Sequence, residues 1–181
     1  MQLQKAYHEN IKSELKKELG FANELDVPRL TKIVVNMGLG EAIDNKKILD
    51  SMAEQLALIT GQKPMITRAK RAIATFKLRA GMPIGLKVTM RGKRMFAFFE
   101  RLVGIALPRV RDFRGILEKT FDKHGNLNIG FSELTVFPEV KYETLDKIRG
   151  LEITIVTTAR DPQSGKALLE KLGFPFEKKV A

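Results

Sequence analysis

The chain has 181 residues, 44% of them hydrophobic and 29% charged, which is the make-up of one ordinary globular domain and not of a fibre or a disordered tail. It contains no cysteine, so disulfide scaffolds, thiolate metal sites, iron–sulfur clusters and cysteine nucleophiles are excluded. Thirty-two Lys and Arg against 21 Asp and Glu leave a net charge of +11, a surplus suited to a polyanionic partner.

Leu3, Tyr7, Ile11, Leu15 and Leu19 recur every fourth residue before Gly20, which predicts an amphipathic helix from about Gln2 to Leu19 with a glycine cap. Leu30 to Gly38 alternates and is rich in β-branched residues, a strand pattern that ends at Gly38 and Gly40. A second helix is expected to start near Asp44, with Ile48, Leu49, Met52, Leu56 and Ile59 on one stripe and Gly61 as its stop. Met65–Thr67 and Ile73–Phe76 read as short strands around the basic turn Arg68-Ala69-Lys70-Arg71. Phe76 to Gly85, with two cations, two glycines and a proline, reads as a loop, and Leu86 to Arg91 resumes alternation. Met95, Phe96, Phe98, Phe99, Leu102, Val103, Ile105 and Ala106 predict a third helix ended by Pro108. Leu127 to Phe131 and Leu151 to Ile155 alternate as two more strands around a Phe137-Pro138-Glu139 bend. Asp161-Pro162 opens a last helix that runs to Leu172 and Gly173.

The pattern predicts an α+β fold with a single domain spanning 1–181: an antiparallel or mixed sheet, helices packed on one face, and an open face left for a ligand. With the strands at Leu30 and Leu86 both in that sheet, Ile33, Val35, Met37, Leu86, Val88 and Met90 face the helices. Lys32, Asn36, Lys87, Thr89 and Arg91 then share the open face, where cations meet phosphates and amide or hydroxyl groups meet sugars and base edges. The charge is placed, not diffuse: between Lys63 and Arg114, in the middle third of the chain, lie fourteen basic residues against only Glu100 and Asp112. A membrane surface is the other polyanion, but the region carries strand patterning and Gly/Pro breaks where a basic amphipathic helix would be needed. With no apolar leader pattern after Met1, and Met95–Leu107 cut by Glu100 and Arg101, a cytoplasmic protein without a membrane partner is expected.

Catalytic signatures fail on inspection. Gly38-Leu39-Gly40 is followed at the third glycine position of a dinucleotide fingerprint by Ile43, and Gly165-Lys166 lacks both the leading glycine and the hydroxyl of a phosphate loop. His8 and His124 are the only histidines and have no ligand partner at a meaningful spacing. No carboxylate pair sits among apolar residues that would tune it for acid–base work. Neither enzyme activity, a cofactor nor a metal is expected. A general nucleic-acid chaperone is disfavoured by the shortage of aromatic residues off the core stripes.

Seven stretches occur in order along the chain: 34–42 (VVNMGLGEA), 60–64 (TGQKP), 76–79 (FKLR), 81–85 (GMPIG), 87–92 (KVTMRG), 107–115 (LPRVRDFRG) and 137–139 (FPE). Together they resemble the bacterial large ribosomal subunit protein 5 family nearly end to end. The departures are small, with Ala80 where an acidic residue and Ala72 where a serine is more usual. The resemblance implies a non-catalytic protein of the central protuberance that binds 5S rRNA and helps attach it to 23S rRNA, beside the other proteins of that region. It implies 5S rRNA contacts at Asn36, Gln62 and Thr89, with Lys32, Lys87 and Arg91 alongside, and further rRNA contacts at Lys63, Arg68, Lys70 and Arg71. The loop matching Phe76 to Gly85 would touch the elbow of the peptidyl-site (P-site) tRNA, Lys77 and Arg79 through phosphates and Met82, Pro83 and Ile84 against bases. A contact with small-subunit ribosomal protein 13 is implied as well. Either 108–115, with Arg109, Arg111, Asp112 and Arg114, or the bend at 137–143 would supply it.

Overall fold

The computed structural model describes residues 2–43, 45, 47–140 and 147–177. A helix labelled α1 runs over 2–19, α-helical at Gln2–Ala6 and Lys12–Leu19 with a π-helical turn Tyr7–Ile11 between them. Apolar residues at a strict four-residue spacing drift about 40° per step around a 3.6-residue helix. One wider turn takes up part of that drift and keeps Tyr7, Ile11 and Leu15 buried together. The Tyr7 hydroxyl donates to the Pro28 carbonyl at 2.8 Å, and burial raises its pKa. Gly20 caps the helix in the left-handed conformation, as the sequence predicts.

Five strands, β1 (Leu30–Gly38), β2 (Met65–Arg68), β3 (Pro83–Met90), β4 (Leu127–Phe131) and β5 (Leu151–Thr157), form one sheet in the order β2-β3-β1-β5-β4. Its neighbours are antiparallel. β2 pairs with β3 so that Met65 lies opposite Lys87 and Ile66 opposite Leu86. Leu39 N–H donates to the Ile84 carbonyl at 2.8 Å, which sets the end of β1 beside the start of β3, and Thr158 N–H donates to the Arg29 carbonyl at 3.0 Å, which sets the end of β5 beside the start of β1. Gly150, where a side chain would sit 2.5 Å from the Phe131 carbonyl, brings the start of β5 against the end of β4. The sheet is therefore the antiparallel one of the two alternatives, with Ile33, Val35 and Met37 of β1 and Leu86, Val88 and Met90 of β3 all buried.

The chain divides into two compact units, one of residues 1–33, 91–129 and 154–181 and one of 34–90 and 130–153. In the second, helix α2 (Lys47–Thr60) buries Leu49, Met52, Leu56 and Ile59 on the stripe the sequence predicts. A 3-10 turn, Gly40–Ile43, comes first, and the Asn45 side chain accepts the Lys47 N–H at 3.1 Å; the expected start at Asp44 lies outside the described residues. The expected strand at Ile73–Phe76 is not one. Ile73 makes a single bridge to Leu78 around a 3-10 turn at Ala74–Phe76, and the strand resumes at Pro83, a position where the missing N–H is harmless.

In the first unit, α3 (Gly92–Arg101) buries Met95, Phe96, Phe98 and Phe99 and continues through a π turn, Leu102–Ala106, into a 3-10 turn, Leu107–Arg109. Pro108 sits inside that last turn instead of ending the helix before it, and Ile105, expected on the core stripe, is exposed. The final helix α4 (Pro162–Lys171) starts where predicted. The Asp161 carboxylate accepts the Ser164 N–H at 2.8 Å and the Ser164 hydroxyl at 2.7 Å.

Two substitutions test this packing. Gly165 is buried in α4, and an added Cβ would lie 2.5 Å from the Gly125 carbonyl oxygen, so backbone would have to move. Gly165→Ala should lower stability by about 1–3 kcal/mol in urea unfolding, even though alanine is intrinsically the better helix former by roughly 1 kcal/mol. Asp161→Ala should cost about 1 kcal/mol at pH 7. Chiefly the hydrogen bond from the Ser164 N–H holds the Asp161 carboxyl below its ordinary pKa. A depressed carboxyl pKa contributes stability above its unfolded value, about 3.9, and loses it as pH falls through the folded value, so the gap between parent and variant should narrow below that pH.

Candidate nucleic-acid interface

Alternation along the two strands of the second unit leaves one set of side chains half-exposed: Val34 and Asn36 on β1, Lys87 and Thr89 on β3. Gln62 reaches this set by a different route. It leaves the end of α2 past Gly61, and its Nε2 donates to the Thr89 carbonyl at 3.4 Å, while its backbone carbonyl accepts from the Thr60 hydroxyl at 3.0 Å. The amide is thus tied to the strand that carries Thr89, and two residues 27 positions apart become neighbours. In the first unit, Lys32 is half-exposed on the alternation that also carries Asn36, and Arg91, exposed, is the residue that leads β3 into α3.

The register adds two residues that the sequence pattern does not name. Residues opposite each other in an antiparallel pair share a face, so Met65, 63% exposed, stands on the face of Lys87, and Thr67, opposite Gly85, follows it. A four-residue segment with no clear alternation carries no face assignment of its own; only the pairing supplies it.

Arg68 at the end of β2, and Lys70 and Arg71 beyond it, are exposed, as is Lys63 before the strand. Arg68 also closes the hairpin, its Nη1 donating to the Gly81 carbonyl at 3.0 Å. The two chains of that hairpin are laced by Ala69 N–H to the Met82 carbonyl at 2.8 Å and Gly81 N–H to the Ala69 carbonyl at 2.9 Å. Its tip and base hold different residues from those expected together. Lys77 is exposed and Arg79 accessible at the tip, but Pro83 and Ile84 are half-buried at the base with Met82 beside them, the two already inside β3 and Ile84 bonded to Leu39. The apolar groups at the tip are Ile73, 44% exposed, and Phe76, 68% exposed.

Arg109, Arg111, Asp112 and Arg114 are all exposed in the segment after α3, with Asp112 in the left-handed region at φ 53°. In the alternative bend, Phe137 and Val140 are buried and Pro138 is exposed; residues 141–143 lie outside the described residues.

The motifs set aside in sequence have structural employment. Glu41, in the turn after Gly38-Leu39-Gly40, pairs with Lys147 and, at 2.9 Å, with Arg149, and the hydrogen bonds from these two cations hold its carboxyl below the usual range. Lys166 bonds Glu118 at 2.8 Å and Glu170 at 3.4 Å, beside the glycine that packs on Gly125. Among the described residues no group of three His, Asp or Glu could hold a metal ion, and no helix is long and apolar enough to cross a membrane.

Comparison with known proteins agrees along the chain. Residues 23–79 match the family described as Ribosomal protein L5, and residues 83–176 match the model for the C-terminus of the same ribosomal L5 family. The Large ribosomal subunit protein uL5 of Anaeromyxobacter sp. (strain K) is 59% identical over 174 residues, 96% of this chain and 97% of the relative. That of Synechococcus sp. (strain RCC307) is 55% identical over 176 residues, 97% of this chain and 98% of the relative, and that of Desulfatibacillum aliphaticivorans 53% identical with the same coverage. With both parts of one family matched in order and relatives more than half identical along nearly their whole length, the chain belongs to the ribosomal protein L5 family of the large ribosomal subunit, whose members are ribosomal proteins and not enzymes.

Proposed function

We propose that this protein acts as a single RNA-binding domain over 1–181 that binds 5S rRNA through the open face of its sheet and helps attach it to 23S rRNA in the central protuberance of the cytoplasmic ribosome. The observation that carries the reading is the tie between Gln62 and the Thr89 carbonyl on the face that also bears Lys87. It supports a platform on which the Gln62 amide is held in position before RNA arrives, so that less ordering entropy opposes binding. Cations at Lys32, Lys87 and Arg91 would take phosphates, while Asn36, Gln62 and Thr89 would reach sugar 2′-hydroxyls and base edges. Lys63, Arg68, Lys70 and Arg71 would extend the phosphate contacts onto further rRNA.

The hairpin is the proposed tRNA-contacting element, with Lys77 and Arg79 meeting the elbow of the P-site tRNA. Arg109, Arg111, Asp112 and Arg114, all exposed, are the proposed contact with small-subunit protein 13, with the 137–143 bend as the alternative segment.

A gel-shift titration against 5S rRNA, with bulk tRNA as competitor and at two salt concentrations, tests the platform. Asn36→Ala and Thr89→Ala should each weaken 5S rRNA binding by about 1–3 kcal/mol with folding unchanged. If Asn36→Ala binds 5S rRNA like the parent, the platform assignment is wrong. Lys77→Ala should spare 5S rRNA and reduce the slope of log K against log salt for tRNA by about one.

A further inference from the structure

The hairpin tip holds a feature that phosphate contacts do not require. Ile73 and Leu78 are joined by two backbone hydrogen bonds, at 2.9 and 3.1 Å, and clasp the 3-10 turn Ala74–Phe76 between them. Lys77 closes that turn in the left-handed conformation, φ 51° and ψ 31°, a state that costs a non-glycine residue roughly 1 kcal/mol or more. Within this small, tightly closed tip the Phe76 ring lies in water. At 68% exposure it is the one exposed phenylalanine among the described residues. Burying such a ring is worth about 1.5–3 kcal/mol, so an exposed one on a hydrogen-bonded tip points to a surface that will cover it.

The neighbours say what kind of surface. Ile73 is also exposed, and Lys77, Arg79, Arg71, Lys70 and Arg68 accompany the pair along the hairpin with no acidic residue anywhere from Lys63 to Phe99. An apolar protein face would strip water from these cations without compensating them. A nucleic acid compensates them with phosphates and covers the ring with a base, provided the base is out of its own stack. A regular duplex offers no such face; a bend or loop of folded RNA does.

We propose that Phe76 is a base-stacking platform, its ring taking the face of one unstacked nucleobase while Lys77 and Arg79 neutralise the flanking phosphates. The inference rests on the tRNA reading of this hairpin and deepens it, naming the residue and the feature of the RNA that it recognises. Met82, Pro83 and Ile84, half-buried, form the apolar base below the tip.

The test uses large subunits reconstituted with the full chain or a variant, and measures the equilibrium affinity and dissociation rate of tRNA in the peptidyl site. Phe76→Ala and Phe76→Leu should weaken tRNA by about 5- to 100-fold, the range that stacking of one base supplies, and Phe76→Trp should restore binding. None of the three should change the salt slope, which Lys77→Ala should lower. Thermal melts of the free variants should match the parent, because the ring is not part of the core. Parent-like binding by Phe76→Ala alongside weakened binding by Lys77→Ala would overturn the stacking proposal and leave the tRNA contact standing. Phe76→Leu binding as well as the parent would replace stacking by simple apolar contact and also overturn it. Parent-like behaviour of both Phe76→Ala and Lys77→Ala would remove the tRNA reading of the hairpin itself.

Discussion

Every polar group that the second unit turns toward solvent from β1 and β3 hangs on a strand whose alternate residues are locked in the core. Val35 and Met37 on β1, and Leu86, Val88 and Met90 on β3, have almost no exposed surface. Because side chains alternate with a period of two, a slip of one residue would drive Asn36 or Lys87 into that core and lift a methionine or leucine out of it. At about 1.5–3 kcal/mol for each large apolar side chain, the slip is prohibitive. The burial of one face therefore fixes the position of the groups on the other, and an interface for a rigid RNA needs that fixity more than it needs strong individual contacts.

The same constraint shapes the hairpin. β2 has one neighbour only, so its exposed residues come from being at an edge, and the irregularity between Thr67 and Arg68 marks where regular pairing ends. Past that point the hydrogen bonds between Ala69 and the Gly81–Met82 pair carry the two chains outward, and the Ile73–Leu78 clasp closes the tip. A long excursion is thereby held by backbone hydrogen bonds with little core of its own, which leaves its side chains for contact with a partner.

Acidic residues elsewhere are employed within the protein. Glu24 pairs with Lys12 and Lys16, Glu41 with Lys147 and Arg149, Glu118 with Lys166, and Glu14 with Lys171. Such exposed pairs contribute little stability each. Their effect is on the field, since they neutralise cations outside the 63–114 stretch and leave the excess positive charge within it.

By itself the sequence determined the elements whose signals are local. The period of four before Gly20, the alternation from Leu30 to Gly38, the stripe ending at Gly61 and the Asp161-Pro162 cap all correspond to elements at those places, because caps and hydrophobic periodicity act over a few residues. It also determined which faces of β1 and β3 are dry, and hence that Asn36, Lys87 and Thr89 are accessible. What only the tertiary structure decided depends on partners distant in the chain. The register that puts Met65 and Thr67 on the face of Lys87, the hydrogen bond that brings Gln62 to Thr89, the glycine at 165 that packs on Gly125, and the split of the 76–85 segment into a basic aromatic tip and an apolar base are all set by pairing across many residues, about which local spacing carries no information.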